Sequence, residues 1–527
     1  MPDAVAALLT RAHESGIKLW VEGDEVKFRC RGKSVPQTFL EELRTHRTTL
    51  LQHLAGTSTE PSEDRLSPEF VRRHHDLASV PSFRLATWRA LKDKLTGVDS
   101  ANLRFVMRVR GFLDLPAMSF AFEQLRARHE VLQATAMEME GRPWLVYGAQ
   151  PMKSMEVFDV ACFAPQERED AARARASELV WAPIDLATGP LFKGFVISLD
   201  TEDHILGLVM HHFIADMVSI GMLGTELIRN YSFKVAGHRL PAAPASLQYA
   251  DYLLSCAEWI ARPQIREHLQ QWAGRLADAP HMDLLHRPPQ APTPDFACVR
   301  NTFEVGIERT AAIERCAQEL RVSKFVVLMT VQKLLLACVT DQDTVTMGTV
   351  NSGREAPALV SVIGYFADRM HWSTSLEGDP TFAESVERVN NSYVEAMRYQ
   401  FFRSDMVQEE LTRRGKWLHA PVFNFIPYSR PQSNTAGSRF ANFPIDPAPF
   451  STIPLPGISY WLALVDTGQN LRGDIRFPHG SADALVRQLL TTLGMVMEDR
   501  TVRLSALRRE LSDHRTGGAE RPINVDI

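Results

Sequence analysis

Two adjacent histidines, His211 and His212, close the apolar run in "LGLVMHHFIADMVSIGML" (residues 206–223), and Asp216 follows four positions after the second. The stretch "ILGLVM" is long enough for a buried central strand, so the histidines at its end point to opposite sides of it. One can then face the interior while the other faces a cavity. Asp216 falls where the next helix begins, a place where a carboxylate caps the helix, pairs with a distant cation and fixes the intervening loop. Imidazole moves protons near neutral pH and contributes on the order of 10²–10⁴-fold when well placed. The spacing alone leaves three readings open: acid–base work, a structural histidine pair, and a metal site. The metal reading needs a third ligand from elsewhere, and no HExxH-like motif supplies one.

The elements that must hold these residues alternate between helix and strand over some 440 residues of a 527-residue chain. "SFAFEQLRARHEVL" reads as a helix, "RPWLVYG" as a short strand, "HILGLVMHHF" as a buried strand and "VSIGMLGTELIRNY" as a helix. A second α/β stretch starts near "SLQYADYLLSCAEWI", and the closing "DHRTGGAERPINVDI" reads as a loose tail. The most apolar segment, "KFVVLMTVQKLLLACVTD", is interrupted by Gln332 and Lys333 and is too short to span a bilayer, so a buried core helix is expected. The formal charge of −5, from 58 basic and 63 acidic side chains, gives no reason to expect a nucleic-acid partner. Six scattered cysteines without a CxxC fit a reducing cytoplasm, and the N-terminus has no signal-peptide core. A soluble, cytoplasmic protein with no membrane partner is the expectation.

Residues 1–55 read as a small separate unit of helix, hairpin and helix. Val5, Leu8, Leu9 and Ala12 have helical spacing before Gly16; "IKLWVEGDEVKFRCRG" alternates and turns at "EGDE"; "VPQTFLEELRTHRTTLLQHLAG" carries a second apolar face. Lys27, Arg29, Arg31 and Lys33 alternate with Phe28 and Cys30, which in a strand puts four cations on one face. That stripe either solubilises an exposed edge or receives an acidic extended peptide that adds as a strand. "GTSTEPSEDRLSPE" (56–69) is polar and aperiodic, as a linker is.

"HHFIAD" resembles the HHxxxD signature of the condensation domains of nonribosomal peptide synthetases, within the chloramphenicol-acetyltransferase-like superfamily. Further stretches resemble that family in the right order: "RHEVLQAT" its RHExLRT motif, "MGTVNSGREAPALVSVIGYFADRMHW" its run from Gly-Arg to Gly-x-Phe, then "EGDPTFAESVERV", "RYQFFRSDMVQEEL" and "VFNFIPY". The resemblance covers about residues 80–510 and implies an α/β fold: a two-lobed, V-shaped pseudo-dimer with its active site between the lobes. The small α+β hairpin unit before it resembles the docking domains first recognised in tubulysin-type synthetases. The implied layout is docking domain 1–55, linker 56–79, N-lobe 80–245, C-lobe 246–510 and flexible tail 511–527.

By this resemblance His212 is the catalytic histidine that binds or deprotonates the nucleophile attacking an acyl thioester, and His211 is mainly structural. Asp216 pairs with Arg354 of "NSGR"; breaking such a buried pair typically costs ~3–5 kcal/mol, so loss of Asp216 is expected to act through the fold. Trp20, Val21, Lys27, Arg29 and Arg31 would receive an acidic C-terminal tail of an upstream carrier protein. Met217 departs from the family's usual glycine and is expected to narrow the channel or shift a backbone N–H that faces an oxyanion. Gln133 and Ala134 depart from the end of RHExLRT, and "HGSADALV" matches the late family motif poorly.

No carrier-protein serine site, adenylation loop or thioesterase GxSxG is found, which implies a stand-alone acyltransferase recruiting its donor in trans. The donor is an acyl or polyketide chain on a phosphopantetheine arm, with no metal and no bound cofactor. The acceptor is a free small hydroxyl or amine, and the outcome is chain release in antibiotic biosynthesis. Rival expectations are a peptide-forming domain with a carrier-bound amine, a coenzyme A-dependent acyltransferase, and an inert organiser that only docks its partners.

Overall fold

The computed structural model describes residues 17–22, 25–30, 66–72, 79–81, 85, 88–89, 102–148, 155–240, 247–280, 282, 299–418, 420–427, 440–443, 460–477 and 482–516. The chain divides into two compact units, residues 1–65 and 66–527, and the division falls inside the expected linker. In the first unit Ile17–Glu22 pairs antiparallel with Glu25–Cys30, with Glu22 opposite Glu25, as the alternating pattern and the "EGDE" turn predict. Trp20 lies opposite Lys27 and Lys18 opposite Arg29, so these four occupy register positions of one parity. Both expected flanking helices, with Arg31 and Lys33, lie outside the described residues.

The second unit is built on two mixed sheets, with a smaller antiparallel one of Ser79–Pro81, Arg142–Val146 and Thr135–Met139. Five strands run in the order Phe440–Asn442, Asn102–Arg110, Asp203–His211, Phe192–Asp200, Glu156–Asp159. Six run in the order Val299–Glu304, Leu471–Phe477, Trp461–Asp466, Val422–Ile426, Thr344–Asn351, Asp368–Ser375. Asp203–His211 is central in the first sheet, and eight of its nine residues are buried. It is apolar without alternation because helices cover both faces: Met217–Val235 and Leu115–Arg128 on one, Arg168–Trp181 on the other. Gly224 lets the helix Met217–Val235 lie close on the sheet, since a Cβ there would meet the Phe105 ring at 2.4 Å.

The lobes interlock. Phe440–Asn442, late in the chain, pairs antiparallel with Asn102–Arg110 and completes the first sheet. Tyr249, Tyr252, Leu253 and Cys256, together with Leu359, Val362 and Phe366, pack into the core of that lobe. A cut at residue 245 therefore separates chain segments but not cores.

The expected core helix is Lys324–Thr340, with twelve consecutive buried residues from Val326 to Ala337. Gln332 and Lys333 do not interrupt it. Gln332 accepts from the Tyr460 hydroxyl at 2.9 Å, and the Lys333 ammonium donates to Val345 O, Trp372 O and Thr374 Oγ1 at 3.0–3.1 Å. Among the described residues no single helix is long and apolar enough to cross a membrane. The expectation of a loose tail from residue 511 needs correction: the last helix, Leu504–Thr516, runs into it. Leu504, Leu507 and Leu511 recur at helical spacing and are buried, which anchors the helix past the expected boundary.

Candidate active site

The strand Asp203–His211 ends at the first histidine, and the chain then turns through Phe213–Ala215 into the helix Met217–Val235. His211, 4% exposed, accepts the Phe213 backbone N–H on Nδ1 at 3.0 Å. Burial, with the neighbouring His212 adding to it, pushes its pKa down to about 3, so it is a neutral structural group at physiological pH. His212, one residue beyond the strand, is half-buried. Its Nδ1 lies 2.7 Å from the carbonyl oxygen of Ala215. A carbonyl oxygen only accepts, so Nδ1 carries the hydrogen and the lone pair of the neutral ring is on Nε2. The Tyr365 ring packs against this imidazole at 4.5 Å between centroids. The two histidines thus differ in burial and in hydrogen-bond partner.

Asp216, 1% exposed, caps the helix by accepting the Ser219 N–H on Oδ1 at 2.8 Å. Its Oδ2 accepts from Arg354 Nη1 at 2.6 Å and from the backbone N–H groups of Phe366 and Ala367 at 3.0 and 3.2 Å. Burial alone would raise this carboxyl, but the Arg354 charge and hydrogen bond, with the N–H donors, outweigh it and hold its pKa below the usual value. Arg354 also donates to Ser219 Oγ at 2.7 Å and Val362 O at 3.1 Å and lies over the Phe366 ring. The Ser219 hydroxyl donates to Gly364 O at 2.8 Å and accepts the Gly364 N–H at 3.0 Å. Gly353 (φ +69°) permits the tight turn before Arg354, where a Cβ would lie 2.4 Å from Phe366 O. Asp216 is therefore engaged by Arg354 and three backbone N–H groups.

The structure brings His211, His212, Asp216, Met217 and Arg354 together. Met217 is the first residue of the helix and 65% exposed, and its backbone is not among those with positive φ. Of the residues expected to bind a docking partner, Trp20, Val21, Lys27 and Arg29 lie on the paired strands of the first unit, and Arg31 lies outside the described residues. Sequence reasoning missed Ser219, Tyr249 and Tyr365, together with the pair Asp368–Arg403 behind the loop. The segment "IGYFADR" is conspicuous for its Gly-x-Phe, but nothing local marks Tyr365 or Asp368 within it. Two cavities, one bordered by Trp272, His371 and Tyr399 and one by Arg142, Met406 and Glu409, do not include the histidine pair.

Residues 91–452 match the family model of the condensation domain, and residues 5–55 match that of the TubC N-terminal docking domain. Malpinin synthetase of Mortierella alpina is 27% identical over 337 residues, 63% of this chain and 4% of that protein. Surfactin synthase subunit 2 of Bacillus subtilis (strain 168) is 26% identical over 395 residues, 75% of this chain and 10% of that protein. The chain spans a tenth or less of the length of these relatives. Among solved structures, the X-domain from teicoplanin biosynthesis aligns with a TM-score of 0.68 at 20% identity, over 83% of this chain and 98% of that one. The structure of condensation domain-mediated chain release from the enacyloxin polyketide synthase aligns with a TM-score of 0.62 at 20% identity, over 99% and 98%. These structures share the two-lobed mixed α/β fold. Synthetase condensation domains act on phosphopantetheine substrates held by carrier proteins, and the family implies acyl transfer. With the match running from residue 91 to 452 across both lobes, the chain belongs to the condensation domain family.

Proposed function

We propose that this protein transfers an acyl or polyketide chain from the phosphopantetheine thioester of an upstream carrier protein to a free small hydroxyl or amine acceptor, releasing the chain from its assembly line. The observation that carries the reading is the orientation of His212. With Nδ1 donating to Ala215 O, Nε2 is the basic nitrogen. It takes the proton of the acceptor as the acceptor oxygen or nitrogen attacks the thioester carbonyl. The C–O or C–N bond forms, the C–S bond breaks, and the proton passes from Nε2 to the leaving sulfur, giving ester or amide and free thiol. Asp216 and Arg354 hold the loop without carrying a proton. Further support comes from the enacyloxin chain-release structure, whose likeness extends over a docking unit as well as the condensation fold.

The hairpin is proposed to receive an acidic tail of the upstream carrier protein along Trp20, Val21, Lys27, Arg29 and Arg31. A second reading, an inert organiser, draws on Met217, whose exposed side chain stands one residue beyond Asp216 where the family usually has glycine.

Intact-protein mass spectrometry of an acyl-loaded carrier protein, with candidate amines and hydroxy acids supplied, decides between them. Acyl loss coupled to a new ester or amide, slowed on the order of 10²–10⁴-fold in His212→Ala, is expected. Acyl retention with every acceptor would favour the organiser, and full product formation by His212→Ala would remove His212 from the chemistry. Equal turnover of acyl-coenzyme A would point to a soluble thioester donor instead.

A further inference from the structure

The peptide between Phe366 and Ala367 is gripped from two sides. Its N–H side is held by Asp216, as described above. On its C=O side stands Arg403, buried at the start of the helix Ser404–Arg413. Arg403 Nη1 donates to Phe366 O at 2.6 Å and to the Tyr252 hydroxyl at 3.3 Å, and its Nε lies 3.1 Å from Asp368 Oδ2. Asp368 in turn accepts the Ser404 N–H at 2.7 Å and the Ser404 hydroxyl at 2.6 Å, so it caps that helix from the neighbouring strand. Two buried acid–arginine pairs, Asp216–Arg354 and Asp368–Arg403, thus clamp one short length of backbone.

The residue just before that clamp is Tyr365, whose ring covers the His212 imidazole. Its carbonyl accepts the Tyr249 hydroxyl at 3.0 Å. The chain has no slack here: a Cβ on Gly364 would lie 2.2 Å from the Tyr249 ring. A shift of the Phe366 peptide is therefore passed to Tyr365, and from Tyr365 to the ring it covers.

We infer that Arg403, acting with Asp368, is a positioning residue that sets the orientation of His212 through Tyr365. As a contribution to rate this rests on the proposed acyl transfer; as a statement about geometry it does not. A guanidinium is required because three acceptors, Phe366 O, Tyr252 Oη and Asp368 Oδ2, are met by separate nitrogens or hydrogens of one planar fork.

The test compares Arg403→Met, Tyr365→Ala and the double variant with the full-length protein, by single-turnover acyl transfer and by the rate of carbethoxylation of His212 followed by peptide mapping. Arg403→Met is expected to lower the transfer rate about 10–100-fold with the carrier KM changed by less than about threefold, and to speed modification of His212. In the Tyr365→Ala background the same change is expected to alter the rate little, because the link is already cut. If the two losses multiply, or His212 modification is unchanged in Arg403→Met, Arg403 only stabilises the lobe and the inference falls. Should Arg403→Met prove too unstable to purify, Arg403→Lys, which keeps the charge but not the fork, carries the same comparison. Wild-type protein that transfers nothing, while Arg403→Met still speeds His212 modification, would overturn the acyl-transfer reading and leave the positioning intact.

Discussion

Burial assigns different chemistry to residues of one type. His211 and His371 are both pushed down to about 3 by burial, with His212 adding to it for the first and Arg369 for the second. An ordinary histidine titrates near 6.5. The folded values lie below the unfolded one, so the unfolded chain takes up these protons first. The stability they allow is complete above pH 6.5 and is lost as pH falls from 6.5 toward 3, at about 1.4 kcal/mol per pH unit for each histidine. Asp216 acts in the same direction over a lower window, below its ordinary 3.8, because its folded carboxyl is held down. Calorimetry between about pH 7 and pH 5 should show Tm falling with pH, and His371→Leu should flatten that slope. An unchanged slope in the variant would mean that His371 takes up its proton without unfolding. Met217 adds no strain to this picture: its backbone is helical, so glycine is not needed there, and any effect must come from the exposed side chain.

Among the elements, the helix Lys324–Thr340 shows how a polar residue is accommodated in a core. Lys333 is 0% exposed, and burial holds its pKa well below the usual lysine value. Three acceptors on the adjacent strands meet its three N–H groups. Lys333→Ala removes both the volume and the donors and should cost ~3–5 kcal/mol in denaturant unfolding. Lys333→Met restores the volume without a buried charge and should recover most of that loss. A methionine variant no more stable than the alanine one would show that the three hydrogen bonds outweigh both terms. From sequence, Lys333 reads as a break in an apolar run, because periodicity records local spacing and not what lies opposite. The same limit explains the site. The strand and helix around His211–Met217 were legible because the apolar run, the histidine pair and the capping acid are neighbours in the chain. Arg403, Asp368 and Tyr365 were not, because their partners lie on other elements, as with Phe366 and Asp216, 150 positions apart. Arg354 was legible only through the resemblance, which supplied a distant partner that spacing could not.

At the scale of the whole molecule, two compact units share one chain, and charge does different work in each. The full sequence carries a net −5, yet the hairpin places Lys18, Lys27 and Arg29 at register positions of one parity. Reversing Lys27 and Arg29 to glutamate should weaken binding of the upstream carrier protein, more so at low ionic strength, because exposed charge pairs are screened over about 8–10 Å at physiological salt. Titration calorimetry at two salt concentrations checks this, and unchanged affinity would return the stripe to a solubilising role. In the larger unit the strand Phe440–Asn442 closes the edge beside Asn102–Arg110. During synthesis, then, the first lobe emerges from the ribosome with that edge open and with core positions still to be filled from Tyr249–Cys256 and Leu359–Phe366. It can be completed only after Asn442 has been made, so the histidine pair is present in the growing chain long before the lobe that holds it is finished.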